Sequence, residues 1–204
     1  MELDDLKTTW AQYDKKLTEN LKFNEELLRK MNLEKSKKEM NAPLTYEIIS
    51  LATGIIFLLY IVSATIRFST ELKFLLPGLI TSFTFIIYLY FSFTKIRLLS
   101  NIDFYYSPII ELQKSVNIFK QKYLQFKKYE LYVFPVFAIS VSPILAKAMR
   151  NFDLFAHPYR YIIAIVLSLI LYYPLAIWFY KNLFEKRIRN TTTFLEELIR
   201  FEKE

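Results

Sequence analysis

The chain has 204 residues, 53% of them apolar and 23% charged, with a net charge of +7. It contains no cysteine, a single histidine (His157) and two glycines (Gly54 and Gly78). That composition excludes a disulfide framework, a thiolate metal site, a cysteine nucleophile, a multi-histidine metal centre and a glycine-rich phosphate loop. No catalytic residue, metal site or cofactor is therefore expected.

Residues 1–45 read as one amphipathic helix. Leu3, Leu6, Trp10, Tyr13 and Leu17 recur at alternating steps of three and four, the spacing of one apolar stripe. Glu2, Asp4 and Asp5 lie in the first turn, where the helix dipole favours negative charge. The stripe falters at Asn20 and Asn24, then resumes through Leu27, Leu28 and Met31. The first apolar run begins only after this charged stretch, so no cleaved signal peptide is expected.

Residues 46–94 hold two spans. Ile48 to Ile66 and Phe74 to Thr94 carry no charge. At about 1.5 Å per helical residue, about 20 residues cross a hydrocarbon core of about 30 Å. Residues 95–130 form a charged amphipathic segment. Ser107 and Pro108 resemble a helix start, and Ile109, Leu112, Val116, Phe119, Tyr123 and Phe126 follow an unbroken 3-4-3-4-3 pattern. That stripe is a seam either for packing within the chain or for a homo-oligomer.

Residues 131–180 hold two more spans. Leu131 to Ala146 is uncharged for 16 residues and Tyr161 to Tyr180 for 20. The shorter run crosses if Lys147 snorkels to the interface. Pro135, Pro143 and Pro174 suggest kinks, with the freed carbonyls satisfied by neighbouring helices or hydroxyls. No ionisable residue lies at the middle of any span, which disfavours a coupled transporter. Residues 181–204 give a last amphipathic segment with Phe184, Ile188, Thr191, Leu195 and Leu198 in frame.

Of the 27 basic residues, 22 fall in residues 1–45, 95–130 and 181–204, and five (Arg67, Lys73, Lys147, Arg150 and Arg160) in the two remaining connections. The positive-inside tendency puts the richer side, with both termini, in the cytoplasm. The expected class is all-α: an integral four-helix membrane bundle of the inner membrane, with cytoplasmic amphipathic helices. Its basic charge serves topology and contact with anionic lipid headgroups, and no direct nucleic-acid binding is expected.

The opening Leu3-Asp4-Asp5-Leu6-Lys7, followed by Trp10 and Leu17, resembles that of small four-span membrane proteins of Bacteroidota found beside extracytoplasmic-function sigma factors. The resemblance extends loosely along the chain, as charged helix, two spans, amphipathic middle, two spans and charged tail. It implies a non-catalytic regulator that holds a sigma factor at the membrane through Leu3, Leu6, Trp10, Tyr13 and Leu17. A homo-oligomeric pore or scaffold is the alternative. The Arg150-to-His157 spacing also resembles that of HEPN-type ribonucleases. However, the charge count puts that pair outside, and Pro158 argues against a helix continuing through the histidine.

Overall fold

The computed structural model describes the backbone of residues 3–201, and the side chains of residue 7 and residues 10–200. The protein is all-α. Helix α1 spans Leu3–Arg67, α2 Leu72–Ser100, α3 Ile109–Arg150 and α4 Pro158–Phe179. A π-helical turn, Tyr180–Glu185, joins α4 to α5, Lys186–Phe201. These make four long rods, each apolar enough over part of its length to cross a membrane, and the chain is a multi-pass membrane protein.

The sequence segments do not correspond to separate helices. Residues 3–45 and the first span are one 65-residue helix. Of the 95–130 segment, residues 95–100 end α2, while the Ile109–Phe126 stripe shares the 42-residue α3 with the third span. Pro43 lies inside α1, while Pro135 and Pro143 lie inside α3 without ending it. Each α3 proline frees the carbonyl four residues earlier, and a tyrosine of α4 takes it. Tyr173 donates its hydroxyl to the Leu131 carbonyl at 3.1 Å, and Tyr161 donates to that of Ile139 at 2.7 Å. These two bonds fasten α4 to α3. The Ser107 hydroxyl does not cap α3: Pro108 holds the cap position, and among the described residues no side-chain cap bond is made there.

Successive rods run antiparallel, and α5 returns alongside the first half of α1. Arg187 bonds Glu39 at 2.7 Å, and Lys35 lies over the Phe194 ring. The main core lies beyond the spans, at the basic end of the molecule. There Leu33 and Met40 of α1 meet Leu112, Val116, Phe119 and Tyr123 of α3 and Ile188, Leu195 and Leu198 of α5. All six residues of the Ile109–Phe126 seam are buried within this chain. Thr191, in frame with the α5 stripe, is buried too. Among the spans the core is smaller, built on Ile61, Ala64, Val141 and Ile144, and most span side chains face outward. Small residues permit close contact of α1 with α2: a Cβ at Gly78 would collide with the Thr65 side chain.

At the opposite end the two short connections meet. Lys73 pairs with Asp153 at 2.5 Å, and Phe74 packs against Phe68 and Phe155. Arg150 and His157 are not on one helix. α3 ends at Arg150, Asn151 turns left-handed (φ 48°), and α4 begins at Pro158. His157 stacks on Phe152 with ring centroids 5.0 Å apart.

Candidate functional site

Two regions depart from ordinary packing. The first is the N-terminal part of α1. From Trp10 to Met31 every residue is exposed, with Trp10 at 71% and Tyr13 at 70%. This stretch projects about 30 Å beyond the first residues that pack, Asn32 and Leu33. Trp10, Tyr13 and Leu17 thus share a face with no neighbour from the described residues. The side chains of Leu3 and Leu6, on the same stripe, lie outside the described residues. A helix that leaves so much aromatic and aliphatic surface in water gains nothing from it unless another surface covers it.

The second region is a buried charged junction where all four rods pass the basic end of the spans. Glu47 precedes the first span by one residue, Lys95 follows the second by one, Glu130 precedes the third by one, and Tyr180 closes the fourth. The Lys95 ammonium bonds Glu47 at 2.7 Å and Glu130 at 3.0 Å. The Ser92 hydroxyl donates to the other Glu47 oxygen at 2.6 Å, and the Tyr180 hydroxyl donates to the other Glu130 oxygen. All four carboxylate oxygens therefore accept a hydrogen bond. The Glu47 and Lys95 side chains are 4% exposed and that of Glu130 6%. Burial disfavours the Lys95 ammonium, but the charges of Glu130 and Glu47 outweigh it and hold its pKa above the ordinary lysine value.

Local structure explains how this junction is built. The π-helical turn places Tyr180 and Phe184 inward, where Phe184 stacks on Tyr123 at 4.9 Å. Such turns insert a residue into a helix and re-aim its side chains. Lys127 of α3 reaches across to Glu185 at 2.6 Å and pins the turn. The Tyr123 hydroxyl has no partner among the described residues, and burial raises its pKa.

A cavity of about 420 Å³ adjoins the junction and rises between the rods. Its walls are chiefly aromatic, with Phe85, Tyr88, Phe91, Phe134 and Tyr172 among them, and Glu47, Lys95 and Glu130 border it. It extends along α2 from Lys95 to Thr84, eleven residues or about 16 Å into the spans. α4 packs chiefly on α3, which leaves this space open beside α1 and α2.

The apolar stripe of α1 is readable in the sequence; the junction is not found by looking for charges within spans. The signal that finds it is the placement of Glu47, Lys95 and Glu130 one residue outside three different spans, which any up-and-down topology brings to one level. Comparison with protein-family models, curated proteins and solved structures finds no match to this chain.

Proposed function

We propose that the protein is a non-catalytic regulator of the inner membrane, with both termini in the cytoplasm. It holds a cytoplasmic protein through the face formed by Leu3, Leu6, Trp10, Tyr13 and Leu17. The observation that carries this reading is the length of α1 that stands free with its apolar stripe uncovered, from Trp10 to Met31. An amphipathic helix recognises a partner through anchors spaced by three and four residues. Tryptophan and tyrosine are the residue types enriched at such anchors. The orientation is supported by the 22 basic residues at the end from which this helix projects. The resemblance to membrane proteins encoded beside extracytoplasmic-function sigma factors makes a sigma factor the leading partner. A homo-oligomer built on the Ile109–Phe126 seam draws no support from a seam already buried in this chain.

The test is co-purification from the native host in mild detergent, with the recovered proteins identified by mass spectrometry. The intact chain is expected to carry a sigma factor, and Trp10→Ala with Leu17→Ala is expected to lose it. Loss of an anchor of at least about 2 kcal/mol corresponds to roughly thirtyfold weaker binding. Equal recovery with both proteins would remove this face from the proposal. Deletion for this purpose should stop at residue 31, because Leu33, Ser36 and Met40 are buried.

A further inference from the structure

Charge arithmetic at the junction leaves a remainder. Two carboxylates face one ammonium in a site whose side chains are almost wholly withdrawn from water. The next ionic contact, Lys127 with Glu185, is already balanced. One negative charge is therefore uncompensated at the mouth of a cavity of about 420 Å³. A buried charge without a counter-charge is strongly unfavourable, so this arrangement favours a positive group beside it. Every carboxylate oxygen already accepts a hydrogen bond, so the junction gives little reward to a strongly hydrogen-bonding cation. Among the described residues no three histidine, aspartate or glutamate side chains converge as a metal cage. The walls instead present aromatic faces, which attract cations through the ring quadrupole and accept apolar groups equally well.

We infer that this cavity binds a hydrophobic monocation, a quaternary ammonium or phosphonium group carried on an apolar body. The cationic centre sits toward Glu47 and Glu130, and the apolar body extends among Phe85, Phe134 and Phe137. This inference does not rest on the partner proposed for α1.

The experiment is equilibrium dialysis of the full chain in a non-ionic detergent with labelled tetraphenylphosphonium. Its counterpart is tetraphenylborate, which has nearly the same shape and the opposite charge. Saturable binding of one phosphonium per chain is expected, with the borate at least tenfold weaker. Glu130→Gln, which keeps the shape and removes the excess charge, should weaken phosphonium binding at least tenfold. Ala176→Trp fills the cavity without touching the charges and should abolish binding, so the outcome does not hang on one variant folding. Absence of saturable binding would overturn the inference. Equal binding of both ions, or unchanged binding in folded Glu130→Gln and Ala176→Trp, would overturn it too.

Discussion

Within α1, residues 10–31 and the stretch around Glu47 belong to one helix but live under opposite rules. In the first, Trp10, Tyr13, Leu17 and Met31 are apolar and exposed; in the second, Glu47 is charged and buried with Lys95 and Glu130. The first stretch contributes little to the fold, since none of the described residues packs on it. The second ties three helices to one point, and each of its charged groups depends on the others to remain buried. The free stretch is thus suited to be covered by another molecule, whereas the junction fixes the rods that carry it.

The largest expected effect lies at the junction. Lys95→Met leaves Glu47 and Glu130 buried without their shared cation. Breaking one member of a buried ion network typically destabilises by about 3–5 kcal/mol. Unfolding in a mixed-detergent titration measures it, and a shift below about 1 kcal/mol would show the junction to be open to water. By contrast, Trp10→Ala with Leu17→Ala should leave stability within about 0.5 kcal/mol of the parent, because exposed side chains without neighbours rarely contribute more. A loss comparable to that of Lys95→Met would mean that the free stretch packs on something within the same molecule.

A smaller effect is expected between the spans. Gly78→Ala drives a methyl group into Thr65, and such overpacking typically costs about 1–3 kcal/mol. Thr65→Ala should recover part of that loss in the double mutant, a coupling that distant sites do not show. Smaller again is Tyr161→Phe or Tyr173→Phe, each of which unpairs a carbonyl freed by proline. Hydrogen bonds between membrane helices average about 0.6 kcal/mol. Tyr→Phe at an α4 tyrosine that does not bond α3, such as Tyr159, gives the baseline.

The two ends of the bundle should also respond to pH in opposite senses. Lys95 has a folded-state pKa raised above its unfolded value. Its contribution is therefore complete below the unfolded lysine value and is lost as pH rises through the folded one. At the other end, the Lys73 hydrogen bond lowers the Asp153 pKa. That contribution is present above the unfolded aspartate value and is lost as pH falls through the folded one. The Lys73–Asp153 pair is solvent-accessible and screened, so its removal by Asp153→Asn should shift the unfolding midpoint far less than Lys95→Met does.

Much of the architecture follows from patterns visible along the chain. Four uncharged runs of helical length, and three amphipathic stripes with spacings of three and four, dictate apolar spans and a helical core at one end. The stripe Ile109 to Phe126 is regular because α3 must bury one face against α1 and α5 at once. What the patterns do not reveal is continuity. A change from charged to apolar composition near residue 45 or 130 signals a change of solvent, not a break in hydrogen bonding, so α1 and α3 pass from one environment to the other unbroken. Nor does periodicity reveal the π-helical turn at Tyr180–Glu185, because an inserted residue is fixed by tertiary demands on Tyr180 and Phe184. The junction falls between these cases. Its residues stand at span edges where charge is expected, and only their convergence from three helices distinguishes a buried network from ordinary flanking charges.

The most direct test of the uncovered face is photo-crosslinking in living cells, with a benzoyl-phenylalanine placed at Tyr13 of the full-length chain. One dominant adduct with a cytoplasmic protein, a sigma factor, is expected, and it should disappear when Trp10 and Leu17 are replaced by alanine. Adducts only with a second copy of this chain, or with no protein, would contradict it.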